Sequence, residues 1–148
     1  NVLSLWSNTL STGNRTGSIT SSLTSISVGG GAVADLVNGS QSNSFWWTGA
    51  TGSGSSWVTW DFGSSKILDA IRWYQSNATA HGVWRIEGSP DNSAWTQIGS
   101  DFTLVQDSIN NGFFYFPNST GYRYYRMRHM SGSRSSSPFL REIEFRIT

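Results

Sequence analysis

Between Trp57 and Ile147 the apolar residues fall at every second position in short runs, each closed by turn-forming residues. An extended strand sends successive side chains to opposite faces, so this alternation is the pattern of a sheet buried on one side. Val58, Trp60 and Phe62 share a face, and Gly63-Ser64-Ser65 follows as a turn. Ile71 and Trp73 share a face within residues 68–75, as do Trp84 and Ile86 within 83–89. Pro90-Asp91-Asn92-Ser93 has the residues a type I turn favours. Further strands are expected over 94–98, 112–116 and 122–130, the last with Tyr125, Met127 and His129 inward. A closing strand over 139–147 should point Ile143, Phe145 and Ile147 inward and Glu142, Glu144 and Arg146 outward. Residues 66–74 could be read as a short helix from Ile67 and Ile71, but their β-branched and aromatic content favours a strand. Seven or eight strands with no convincing helix predict an all-β fold, a two-sheet sandwich or jelly roll.

Composition narrows the class. The 148 residues amount to one domain, large enough to bury a core without staples. Aromatic residues make up 14% and charged residues 13%, the reverse of a disordered chain. One Lys and three Glu exclude a helical bundle, and no apolar run is long enough to span a membrane. Cysteine is absent, so there is neither a disulfide framework nor a thiolate metal site. The first 31 residues are Ser/Thr/Gly-rich, with Trp6 their only aromatic, and Gly29-Gly30-Gly31 is expected to be a flexible break. The expected organisation is therefore an N-terminal extension over 1–31, with short strands packed on a sandwich formed by 32–148. The chain starts at Asn1 without Met or a signal segment, as expected of a processed product or a domain cut from something longer. Residues 1–108 carry four cationic against seven acidic side chains, and residues 109–148 six against two. The later arginines alternate with apolar residues and so line wet strand faces, and no nucleic-acid partner is expected.

The chemistry of catalysis is missing. The two histidines, His81 and His129, fall in no metal-binding spacing, and no nucleophile elbow, phosphate loop or dinucleotide fingerprint occurs. Several of the carboxylates sit in turns, at Asp91, Asp101 and Asp107, rather than as a pair flanking a bond. That leaves binding. Sugars are held in water by flat rings stacked on their C–H faces and by planar polar groups that satisfy their hydroxyls. In a sandwich such groups gather on the loops at one end. Phe45, Trp46 and Trp47 stand in polar, glycine-rich sequence. At least one of them should plug the core, and Trp46 and Trp47 are candidate stacking rings. The loop 75–82 holds Asn77 and, among small neighbours that leave room for a ligand, His81. The loop 131–139 offers Arg134 and Phe139. His129 continues the inward phase of its strand and reads as structural.

These residues also carry a family likeness. Asn38-Gly39, the Trp pair, WVTWDFGSSKILDAIRWYQ, WRIEGSPDNSAWTQIG, YRYYRMRHM and LREIEF follow one another in order. Over about residues 33–148 this series resembles the discoidin or coagulation factor 5/8 type C domain, a group that overlaps galactose-binding-like carbohydrate-binding modules. The resemblance implies an eight-stranded antiparallel jelly-roll β-sandwich that binds sugars or lipid head groups through loops at one end. It also implies a structural Ca²⁺ held by Asn38, Ser40, Asn43 and Glu142. The family's Asp is replaced by Asn38, which removes one of the charged oxygens that Ca²⁺ favours.

The expected function is thus a non-catalytic, lectin-like module that recognises a cell-surface glycan or polysaccharide. The expected site is Trp46, Trp47, Asn77, His81, Arg134 and Phe139. The alternative is a structural or assembly domain without a ligand. The Ser/Thr/Gly-rich style resembles modules on phage tail fibres or spikes and on bacterial surface glycosidases. An extracellular, cell-surface or virion location is therefore expected, with homo-oligomerisation supplied by a parent protein.

Overall fold

The computed structural model describes residues 5–6, 19–38, 45–48, 52–75, 80–105, 112–132 and 139–148. The strands, in chain order, are β1 (Leu5–Trp6), β2 (Thr20–Thr24), β3 (Ser27–Gly30), β4 (Phe45–Thr48), β5 (Ser56–Lys66) and β6 (Leu68–Gln75). They continue as β7 (Val83–Ser89), β8 (Thr96–Thr103), β9 (Gly112–Tyr115), β10 (Tyr122–Ser131) and β11 (Phe139–Ile147). One sheet has the order β3-β4-β11-β6-β9, with β1 also paired to β11, and the other β2-β5-β10-β7-β8. All the strand pairs are antiparallel. The architecture is the expected double layer, with more strands than the eight expected.

The alternating residues meet between the layers. Val58, Trp60, Phe62, Trp84, Ile86, Tyr125 and Met127 from one sheet bury against Phe45, Ile71, Trp73, Ile143 and Phe145 from the other. Edge-to-face rings dominate this contact: Trp60 and Phe145 lie 5.0 Å apart, and Phe62 and Phe145 5.1 Å. Such pairs add about 1 kcal/mol each to the area they bury.

The N-terminal region departs from expectation. β2 and β3 are edge strands, one in each sheet, so residues 20–30 belong to the sandwich itself. Gly29 and Gly30 lie in β3, paired with β4, and form no flexible break. The crossing between layers is made at Ser25, whose φ of 55° turns the chain and whose carbonyl accepts a 3.0 Å bond from the Ser56 hydroxyl. Next comes an unexpected 3-10 turn, Val33–Val37. Asp35 closes it: its carboxylate accepts from the Ala32 N–H at 3.0 Å, and its own N–H donates to the Ala32 carbonyl at 2.9 Å. Glu142 and Glu144 are also not the solvated side chains expected. Both are fully buried, and Arg72 pairs with Glu144 across the β6–β11 register.

One end of the sandwich is tied by side chains. The Tyr125 hydroxyl donates to the Lys66 carbonyl at 2.7 Å and accepts from the Leu68 N–H at 3.2 Å. Asn118 donates to the carbonyls of Leu68 and Thr120, both at 2.9 Å. Asp91 accepts the N–H groups of Ser93 and Ala94, each at 2.9 Å, as the expected turn requires.

Candidate functional site

The opposite end gathers the strand termini. His129 of β10 stands between Ser56 of β5 and Trp84 of β7, and Trp84 stands opposite Phe102 of β8. In the other sheet Leu140 of β11 faces Gln75 of β6 and Phe45 of β4. Backbone bonds zip this rim. Ser53 and Gly54 donate to the carbonyls of Met130 and His129 at 2.8 and 2.9 Å. His81 donates to the Leu104 carbonyl at 2.8 Å, and Leu104 donates back to Gly82 at 2.9 Å. The segments that leave these strand ends, 49–51, 76–79, 106–111 and 133–138, lie outside the described residues.

Beneath the rim is an aromatic floor. Trp47 lies 5.7 Å from Trp84 in an edge-on arrangement, and Trp84 lies 4.8 Å from His129. The Trp84 indole N–H donates to the His81 carbonyl at 2.8 Å. Gly82 has φ +92°, a conformation open to glycine, and a Cβ there would stand 2.6 Å from His129 Nε2. This close approach seats residues 81–82 on the floor.

Two expected ligand contacts are therefore corrected. Trp47 is 0% exposed and cannot stack on a ligand. Phe45 and Trp47 are two apart on β4, share a face, and that face is the core. His81 is also 0% exposed, drawn inward by its pairing with Leu104. Burial holds its imidazole below the ordinary value, in the neutral form. Gly82, one of the small neighbours that suggested room for a ligand, instead lets the chain pack closely on His129. Trp46 and Phe139 are brought together as direct partners in the β4–β11 register, although their side chains lie outside what is described. Asn77 and Arg134 lie outside the described residues.

The floor adds polar groups, from Trp47, expected as a stacking ring, and from His129, expected to be structural. The Trp47 indole N–H and both ring nitrogens of His129 are buried with no hydrogen-bond partner among the described residues. Leaving such a group unpaired costs about 1–3 kcal/mol. His129 is in the inward phase as expected, and alternation carries no information on whether an inward imidazole is satisfied.

Of the residues implied for Ca²⁺, Ser40 and Asn43 lie outside the described residues. Glu142 is fully buried on β11, and the 3-10 turn that ends at Asn38 packs on the same strand. Asn38 donates its Nδ2 to Asp35 Oδ1 at 3.4 Å. An all-oxygen set suits a hard cation. Among the described residues no three His, Cys, Asp or Glu side chains cluster as a metal site.

The scaffold has close counterparts. The C-terminal domain of a chitobiase from Bacteroides fragilis superposes with TM-score 0.69 at 19% identity, covering 89% of this chain and 95% of that one. The family 32 carbohydrate-binding module of Clostridium perfringens NanJ, in complex with galactose, gives 0.65 at 12% identity, covering 86% and 93%. Another C. perfringens module, CpGH89CBM32-5 in complex with GalNAc-β-1,3-galactose, gives 0.67 at 14% identity, covering 86% and 94%. At these identities the likeness shows the fold, a galactose-binding-like β-sandwich. No curated protein sequence matches the chain. The sequence model of the F5/8 type C domain matches residues 18–143, which takes in the edge strands β2 and β3 as well as the strands flanking the rim. On that match, and on the two-layered scaffold it predicts, the chain belongs to the F5/8 type C domain family.

Proposed function

We propose that this chain is a non-catalytic glycan-binding module whose ligand sits at the rim where the strand ends converge. The observation that carries this reading is the β4–β11 register, which pairs Trp46 with Phe139 beside those ends. Two aromatic residues from segments more than ninety positions apart become neighbours at the rim. In this reading Trp46 and Phe139 supply the stacking surface. Asn77 and Arg134, on segments that leave the same rim, bond to the sugar hydroxyls. Trp47, Trp84, His81 and His129 are the rigid floor beneath. The neighbouring modules bind galactose and GalNAc-β-1,3-galactose, and the corresponding module of AlyQ binds 4,5-unsaturated mannuronic acid, which supports a saccharide as the ligand class.

A site with one or two stacked rings and a few hydrogen bonds binds one sugar in the millimolar to micromolar range, about 4–8 kcal/mol. Tight attachment then requires several copies on one parent protein at a cell or virion surface. No helix among the described residues is long and apolar enough to cross a membrane. A glycan array followed by calorimetric titration tests the reading. Trp46→Ala, Phe139→Ala and Arg134→Ala should each lose binding at unchanged melting temperature. A folded chain that retains no glycan would favour an assembly role, which sedimentation with and without residues 1–18 would detect.

Within the same reading, Ca²⁺ is held by Asn38, Ser40, Asn43 and Glu142 and ties the 39–44 segment to β11. The support is a wholly buried carboxylate on β11, the strand against which the turn that ends at Asn38 packs. Chelation with EDTA should lower the melting temperature, and added Ca²⁺ should restore it. An unchanged melt, with no calcium in the purified protein by elemental analysis, would remove the ion from the account.

A further inference from the structure

The register sets Thr24, Trp57, Arg128 and Arg85 in one row across the outer face of the β2-β5-β10-β7-β8 sheet. All four are partly exposed, the Arg128 and Arg85 side chains at 24% each. The row lies at the rim end, since the next pair along β5 and β10 is Ser56 with His129. A Cβ on Gly54 would stand 3.3 Å from Arg128 Cζ, so the guanidinium lies against the turn whose Ser53 and Gly54 N–H groups zip the rim. The adjoining row is closed by comparison: Thr59, Arg126 and Glu87 are buried.

Arg128 and Arg85 stand directly opposite each other in an antiparallel pair, where like charges repel. Arg85 is matched by Asp101, which accepts from its Nε and Nη2 at 2.8 and 3.2 Å. Arg128 has only Glu87, whose Oε1 lies 3.1 Å from its Nε and already accepts from Arg126 Nε at 2.7 Å. The Arg128 Nε is buried and makes no hydrogen bond. Among the described residues three guanidiniums thus share two carboxylates, and the excess positive charge falls on Arg128. One unmatched guanidinium beside an indole suits one anionic group that carries an apolar surface next to its charge. A nucleic-acid backbone would need a run of unmatched cations. A protein partner would need about 1,000 Å² of complementary surface, more than one row of four residues provides. An acidic sugar brings a charge for the guanidinium and a C–H face for Trp57 on a single unit.

We infer that Arg128 and Arg85, beside the Trp57 indole, form an anion subsite that takes the carboxylate or sulfate ester of an acidic sugar unit in a glycan held at the rim. The inference rests on the glycan-binding reading above. The test is affinity electrophoresis through the acidic polymers alginate, polygalacturonate and dextran sulfate, and through neutral galactan, glycol chitin, mannan and β-glucan. The first two acidic probes carry carboxylates and the third sulfate esters, so they separate the two sources of charge. Arg128→Gln should weaken binding of the retained acidic polymer about tenfold and leave the melting temperature unchanged or higher, since it relieves the opposed charges. Retention on a neutral polymer should change less than about twofold. Arg128→Lys keeps the charge without the planar fork and should recover part of the loss. Arg123→Gln removes the same charge from the same face, out of a matched pair with Asp61, and should leave acidic-polymer retention unchanged. Undiminished retention of the acidic polymer by folded Arg128→Gln, or an equal loss in Arg123→Gln, would overturn the subsite. So would wild-type binding to neutral polymers alone, or to phosphatidylserine vesicles in place of the acidic polymers. Retention on neutral polymers would still leave the rim reading standing. Failure of the wild-type chain to bind any polymer would overturn both.

Discussion

Truncating Arg126 should cost more stability than any other single change on the outer face of the β2-β5-β10-β7-β8 sheet. Its guanidinium lies between two indoles, 4.4 Å from the Trp57 centroid and 4.2 Å from that of Trp95. Its Nε donates to Glu87 Oε1 at 2.7 Å, and the two side chains are only 9% and 7% exposed. Each cation–π contact at such a site is worth about 1–2 kcal/mol. Removing one partner of a buried pair costs about 3–5 kcal/mol, because the other charge is stranded. Here the stranding is incomplete, since Arg128 Nε also reaches Glu87 Oε1 at 3.1 Å. These terms overlap, and Arg126→Ala is expected to lose about 3 kcal/mol, which lowers the melting temperature by roughly 6–12 °C in a domain of this size. Arg126→Lys keeps the charge but loses the planar fork, and should lose about half as much. Urea denaturation followed by tryptophan fluorescence measures both. Arg126→Ala/Glu87→Gln should recover at least 1 kcal/mol over the additive sum, since it removes the stranded charge. A loss below 0.5 kcal/mol for Arg126→Ala, or strict additivity in the double variant, would refute the stacked-pair explanation.

Three further outcomes follow from the same geometry. Gly112→Ala places a methyl inside the Trp73 indole, so it should destabilise the fold by about 2 kcal/mol or more, visible as a fall in melting temperature. Asn118→Ala removes two bonds to backbone carbonyls and should cost about 1–3 kcal/mol by denaturant titration; intact-mass measurement from a glycosylating host should find Asn118 unmodified, because its amide is already committed. Burial depresses the His81 pKa, so the unfolded chain takes up a proton that the folded chain refuses. This contribution to stability is complete above about pH 6.5 and is lost as pH falls from there towards the depressed folded value, with a slope of up to about 1.4 kcal/mol per pH unit. Melting temperatures between pH 7.5 and 5, above the range where Asp61 and Asp91 titrate, should fall in the wild type and stay flatter in His81→Gln. Parallel curves would contradict it.

The layers of this fold were legible in the sequence because each inward phase is carried by a local pattern. Val58, Trp60 and Phe62, and likewise Tyr125, Met127 and His129, face the core as alternation predicts. Short N-terminal strands were expected, but their place inside the two sheets was not legible, since β2 and β3 are Ser/Gly-rich and defined by pairing with β5 and β4 rather than by apolar content. The candidate site was only partly legible. Phe45-Trp46-Trp47 read as three rings in a polar loop, yet the same two-residue period that located the other strands applies to Phe45 and Trp47, and that signal was available. For His81 no local signal existed, because its burial depends on a backbone pairing with Leu104, 23 residues away. The pairing of buried Glu144 with Arg72 is likewise a product of register, not of composition.

The most direct measurement of the central claim is an amide-resolved NMR titration of the labelled chain with galactose and with β-1,3-linked GalNAc-galactose. Saturable shift changes should cluster at the backbone of Trp46, Asn77, Arg134 and Phe139, with residues 90–95 unmoved. Changes centred on the Asp91 turn, or none with either sugar at millimolar concentration, would contradict a ligand site at the rim.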